Sequence, residues 1–269
     1  MAHEMKSEAR TPTHRPEEPP RREDSKDQRV ARLLLTIRAQ EGNTLFWPWL
    51  DELDGKPADK KRANKFLLGC ILDYQIPAQR AWDNAARLAE QILGDPEDLW
   101  DTIAVIPHGE WMSRRESYSL HRFPASHKRV WKIGRQIVNQ YQGDARLIWA
   151  EQPPAAVTVR LGALGAGEQI SRMIAGAVAD TKQIEGVGDV KGDRHVCRVL
   201  GRVFHGSPLQ PKDASSIARR IQAQNPWVLD RPLYLIGQQV CFASNPNCAE
   251  CVLSPECVYF GGPRGQQHS

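Results

Sequence analysis

The sequence predicts an all-α fold in two helical domains behind an unstructured tail, on three observations. Apolar residues recur at helical spacing through most of the chain, alternating strand patterns are scarce, and 269 residues exceed one minimal domain while falling short of three. Hydrophobic residues at 41% and charged residues at 25% are enough to build real cores. No apolar run reaches the ~18 residues of a membrane span, and the first ten residues, MAHEMKSEAR, lack the apolar stretch of a secretory leader. A cytoplasmic chain, or one held with the nucleoid, is the expectation.

The elements follow in order. Residues 1–28 are rich in Pro, Glu, Arg and Ser and nearly free of large apolar groups, so burial cannot offset the entropy of ordering them. Val30, Leu33, Leu34 and Ile37 then open a helical pattern. Phe66–Leu72 is an apolar run, closed after Tyr74 and Gln75 by Pro77. Trp82, Ala85, Ala86, Leu88, Ala89, Ile92 and Leu93 form an amphipathic helix that stops at Gly94. Pro96, Glu97 and Asp98 suit a helix's first turn. Residues 105–127 keep no clean period and read as a long connection. Val130, Ile133, Ile137, Val138 and Tyr141 resume helical spacing up to Gly143, and further helices are expected over 168–179, 194–204, 213–224 and 230–240.

The formal net charge is +4, and the acids and bases of residues 1–29 balance, so the excess belongs to the folded part. Arg114, Arg115, Arg122, Lys128, Arg129, Lys132 and Arg135 crowd into one stretch against a single acid, Glu116. A charge run alone is ordinarily a solvated face, and nucleic-acid contact needs a second observation.

Cys241, Cys248, Cys251 and Cys257 have the spacing C-x6-C-x2-C-x5-C. Four thiolates from one short loop suit an iron–sulfur cluster; zinc also accepts four sulfurs, though its usual sites use two separate C-x2-4-C knuckles. With the preceding Leu235-Ile236-Gly237, this spacing resembles the [4Fe-4S] loop of the helix-hairpin-helix DNA glycosylase superfamily, in its endonuclease III and MutY-like branch. The stretch between the first two cysteines, Phe242 to Asn247, holds no Lys or Arg, unlike the usual loop of that family.

The resemblance extends to other segments. Leu164-Gly165-Ala166-Gly167-Glu168-Gln169-Ile170 has the form of the hairpin, whose glycines let backbone approach a phosphate at a helix N-terminus. A second such stretch, Gly186-Val187-Gly188, lies too near Asp193 to be followed by the long helix the hairpin requires. Gly192-Asp193-Arg194-His195-Val196-Cys197-Arg198-Val199 is similar to the family's aspartate segment. There the carboxylate is essential to excision, because breaking an N-glycosidic bond builds positive charge on the sugar. On its own, Asp193 reads as a helix N-cap. Phe66 to Ile76 resembles the early helix ending in L-[SD]-x-Q, which makes Gln75 the candidate to fill the gap left by an extruded nucleotide.

The resemblance therefore implies two helical domains flanking a DNA-binding cleft. Residues 64–190 would form a six-helix barrel carrying the hairpin, and 191–262 an iron–sulfur cluster domain completed by the N-terminal helical segment 29–63. Asp193 is the expected catalytic residue, with Gln75, Gly165, Gly167, Gln169, Arg129 and Lys132 on DNA and Cys241, Cys248, Cys251 and Cys257 holding a [4Fe-4S] cluster. His195 and Arg198 read as supports, Asp73 or Tyr74 as facing the base pocket, and Trp111 and His108 as pocket walls. Bifunctional members carry a lysine where Gln169 stands, and an amide cannot form a Schiff base. A monofunctional glycosylase acting as a monomer on double-stranded DNA with a flipped nucleotide is the expectation, unless Lys182 or Lys191 supplies the missing amine. The alternatives are a non-catalytic, cluster-bearing DNA-binding or structure-sensing protein and a zinc-bound nucleic-acid module.

Overall fold

The computed structural model describes residues 24–40, Leu53 and residues 58–262, and its described elements are helices and turns. They gather around two apolar cores. One is built by residues 58–184 with Trp227, the other by Val30, Ala31 and Leu34 together with apolar residues from Val190 to Leu253.

The first lobe is centred on α2 (Lys60–Leu72), which opens on Asp59, whose carboxylate accepts the Arg62 N–H at 2.8 Å. Every residue from Phe66 to Leu72 is buried, the behaviour of a helix that is apolar on all sides. A Cβ at Gly69 would lie 2.3 Å from the Trp82 ring, so glycine there lets α3 (Ala78–Ala86) seat that indole against α2. The chain continues through a wider-wound turn, Arg87–Ile92, and then Asp95 caps Pro96–Asp98, which leads into α4 (Leu99–Val105).

Residues 105–127, expected as a plain connection, contain two short helices, α5 (His108–Ser113) and α6 (Arg115–Tyr118). Their stabilisation is tertiary, which is why no period showed it. The Trp111 indole stacks on the buried His127 ring at 4.6 Å, its Nε1–H donates to the His127 carbonyl at 2.9 Å, and His127 Nε2 lies 2.8 Å from the Trp111 carbonyl. Trp111 is therefore core rather than pocket wall. His108 packs edge-on against Trp131 and does not line the cavity described below. There follow α7 (Pro124–Tyr141), α8 (Arg146–Trp149), α9 (Pro154–Ala163) and α10 (Glu168–Asp180).

The second lobe joins the two ends of the described chain: α1 (Lys26–Gln40) packs with α11 (Arg194–His205), α12 (Pro211–Ile221), the turn Pro226–Leu229 and α13 (Asp230–Gln239). Helix α1 begins inside the segment expected to be tail, because Lys26 Nζ donates to the Val203 carbonyl at 2.8 Å and Arg29 pairs with Glu256 at 2.6 Å. The lobes interlock at Trp227. A Cβ at Gly176, inside α10, would meet that indole at 2.3 Å. No described helix is long and apolar enough to cross a membrane.

A separate iron–sulfur domain is not part of this architecture. Residues 241–262 run as short turns and α14 (Val258–Gly261) along α11, and they are organised around an arginine. Arg202 is buried, donates to the carbonyls of Phe242 at 2.6 Å and Ala243 at 2.9 Å and to Cys241 Sγ at 3.3 Å, and lies 4.5 Å from the Tyr259 ring centre.

Candidate active site

A cavity of about 620 Å³ opens where the lobes meet. The first lobe contributes the C-terminal end of α2 and the turn after it (Asp73, Tyr74, Gln75, Ile76), and the start of α10 contributes Gln169. The second lobe contributes Lys191, Asp193 and His195, with Tyr234 and Gln238 on α13.

Asp193 is the N-cap of α11. Its Oδ1 accepts the His195 N–H at 2.8 Å and the Val196 N–H at 3.0 Å. Two bonds to one oxygen fix the side chain and leave Oδ2 available to the cavity. The two readings of Asp193, cap and site carboxylate, are thus compatible. Gly165 and Gly167 form the turn between α9 and α10 with φ of 90° and 84°, conformations that suit glycine. Gln169, in the first turn of α10, donates through Nε2 to the Gly192 carbonyl at 3.1 Å, which ties the turn region to the backbone beside Asp193.

Gln75 sits at the rim in a left-handed conformation, φ 54°, that costs a non-glycine residue about 1–2 kcal/mol. It lines both this cavity and a neighbouring one of about 410 Å³ that holds Arg80, Asn84 and His121. His121 fixes the rim: Nδ1 accepts the Phe123 N–H at 3.1 Å, so Nε2 carries the proton and donates to the Tyr74 carbonyl at 2.8 Å. Burial holds this imidazole below the ordinary histidine value.

Of the basic stretch, Arg122 lines the cavity and Arg129 lies 5.5 Å from the Tyr74 ring centre beside it. Lys128, Lys132 and Arg135 are exposed on α7. Arg198 is buried and donates to the carbonyls of Gly237 and Cys241, clamping α11 to α13, while His195 reaches the cavity. Lys182 is exposed and does not line the cavity; Lys191 does.

The cysteine expectation is overturned. Among the described residues no group of three or more His, Cys, Asp or Glu side chains is arranged to hold a metal ion, which removes the [4Fe-4S] cluster and zinc alike. Cys241, Cys248, Cys251 and Cys257 are free thiols bordering a hollow of about 20 Å³, room for about one water. Their sulfurs are engaged otherwise: Cys241 Sγ accepts from Arg202, and Cys257 Sγ donates to the Arg202 carbonyl at 3.5 Å. Burial pushes the Cys251 thiol up to about 11, and those of Cys248 and Cys257 upward too. Spacing limits how far apart four sulfurs lie along a chain; it does not aim them.

Sequence reasoning passed over Tyr234, Gln238 and Asp230. Tyr234 packs edge-on against His195 at 5.1 Å, and buried Asp230 accepts the Lys191 N–H at 2.6 Å. The available signal was Tyr234, directly before the Leu235-Ile236-Gly237 stretch that served only as context for the cysteines.

No protein-family model and no curated protein matches the sequence. Solved structures match in shape. A thermostable thymine-DNA glycosylase superposes with a TM-score of 0.61 at 16% identity, over 88% of this chain and 97% of its own. A trapped endonuclease III–DNA covalent intermediate gives 0.60 at 15% identity, and a non-covalent endonuclease III–DNA complex 0.60 at 18%, each over 90% of this chain and 97% of its own. At these identities the likeness is one of architecture: the chain shares the all-α fold of these glycosylase and endonuclease III structures.

Proposed function

We propose that the protein is a monofunctional DNA glycosylase, which hydrolyses the N-glycosidic bond of a damaged, mismatched or modified base extruded from double-stranded DNA. The observation that carries the reading is Asp193. A carboxylate with one oxygen held by two helix N–H groups, on a residue that lines a 620 Å³ cavity between two lobes, is a fixed negative charge. Such a charge stabilises the positive sugar that forms as the base leaves, and it orients the water that attacks it. In this reading Gln75, strained at the rim, fills the gap in the stack, and Arg122, which lines the cavity, contacts phosphates together with Arg129 and Lys132. Gln169 spends its amide on the Gly192 carbonyl and has no amine to offer the sugar. The protein acts as a monomer in this reading.

The test is a release screen on duplexes carrying varied lesions and mismatches, read by alkaline cleavage at the abasic sites produced. The expected result is strand cleavage only after alkali, on at least one duplex. Cleavage without alkali overturns the monofunctional part. Salt-sensitive binding with no release from any duplex identifies a non-catalytic DNA-binding protein of this fold instead.

A further inference from the structure

Three carboxylates converge at the cavity, from both lobes: Asp73 at the end of α2 and Asp193 at the start of α11 line it, and Asp230 at the start of α13 is buried beside Lys191. Lys191 lies among them. Its ammonium is 3.3 Å from Asp73 Oδ2, in a pair whose side chains are only 13% and 8% exposed, and its backbone N–H donates to Asp230 Oδ1 at 2.6 Å. The next carbonyl, of Gly192, accepts from Gln169, and the next residue caps α11. Residues 191–193 are thereby pinned to α2, α10, α11 and α13 at once.

We propose that Lys191 is a positioning residue of this site: its ammonium, paired with Asp73 of the first lobe, ties the backbone that carries Asp193 to the end of α2 and sets a positive charge beside the Asp193 carboxylate. The inference rests on the glycosylase reading above and deepens it. Removing the ammonium leaves the buried Asp73 carboxylate without its counter-charge, and its negative charge unbalanced beside Asp193. Burial also works against the ammonium itself, yet Asp73, Asp193 and Asp230 outweigh it and hold Lys191 above the ordinary lysine value. A lysine kept charged in this way has no lone pair to attack a sugar, so its presence in the cavity is compatible with water as the nucleophile. The other charged and titratable groups facing this cluster are Cys70 on α2, Asp189 just before Lys191 in the chain, Arg194, His195 and Cys197 on α11, Tyr234 on α13 and Arg122 from the turn before α7.

The experiment is single-turnover base release between pH 5 and pH 9 by the full-length wild type, Lys191→Met, Lys191→Arg and Asp73→Asn, on a duplex the wild type acts on. A parallel incubation with borohydride traps any Schiff base. Lys191→Met is expected to move the acidic limb of the pH profile upward by about one unit, which slows release about tenfold at pH values on that limb. Higher pH then restores part of the rate, and Lys191→Arg, which keeps the charge, stays nearer the wild type. A Lys191→Met profile that overlays the wild type overturns the inference and leaves the glycosylase reading standing. A borohydride adduct of the wild type that disappears in Lys191→Met overturns it in the other direction, making the lysine a nucleophile. Wild-type protein that releases no base from any duplex removes both. Should Lys191→Met fail to fold, as judged by circular dichroism, Asp73→Asn carries the same comparison. It leaves Lys191 short of one counter-charge and must shift the profile relative to wild type if the cluster acts as described.

Discussion

Replacing Asp193 by Asn and by Ala separates the two duties of that side chain. Its Oδ1 accepts two N–H groups at the start of α11, at 2.8 and 3.0 Å. Asn keeps an oxygen there and is an equally good cap, so Asp193→Asn should change stability by only a few tenths of a kcal/mol. Ala removes the cap, which costs about 1 kcal/mol and lowers Tm by roughly 2–4 °C in a protein of this size. Base release should follow the opposite pattern. Both variants lose the fixed negative charge that faces the developing positive sugar, a loss of about 3–4 kcal/mol of transition-state stabilisation, or roughly 10²–10³ in single-turnover rate. Thermal unfolding and single-turnover release on the same preparations provide the two readouts. Asn releasing base within about threefold of wild type would falsify the catalytic assignment and leave Asp193 a helix cap. Equal slowing of both variants with different Tm losses is the expected outcome.

Three further outcomes follow from the geometry. Burial first, then Asp193, raises the Asp230 carboxyl to about 7 from an ordinary 3.8. Its favourable contribution is therefore complete below about pH 4 and is lost as pH rises through 7, so Asp230→Asn should gain on wild type in chemical denaturation between pH 5 and pH 8, by about 3 kcal/mol at most; an equal difference at both pH values refutes this. Arg202→Met removes the charge-assisted hydrogen bonds to the carbonyls of Phe242 and Ala243 and should cost about 1.5–3 kcal/mol, with faster amide exchange over residues 241–258; unchanged exchange there contradicts the view that Arg202 organises the segment. Arg129→Ala and Lys132→Ala should each lower the slope of log affinity against log salt by about 1 on duplex DNA, and an unchanged slope takes these residues off the phosphate path.

Much of the helical framework was legible because its causes are local. The run Phe66–Leu72, the proline at the start of α7 and Asp193 before α11 each act within a few residues. The glycine turn at 165–167 was identified through resemblance, and the structure sets it between α9 and α10, one side-chain bond from Gly192. Helices α5 and α6 were not legible, since Trp111 and His127 hold them from 16 residues apart. The cysteines misled for a related reason: their spacing matched a ligand loop, but the segment folds on Arg202, and the thiols turn to that arginine and to the core.

Periodicity, capping and turn chemistry, written in short stretches of sequence, were sufficient for an all-α chain and for α1 to α3, α7 and α10 to α13, but not for α5, α6, α8 and α9. Packing alone decided that Asp73 and Lys191, 118 positions apart, share a salt bridge, that Tyr234 faces the same cavity, and that four thiols are not a ligand set. Helix formation is governed by neighbours a turn or two away. The direction of a buried side chain, and the charge its surroundings impose, are set by elements distant in sequence that meet only when the cores close.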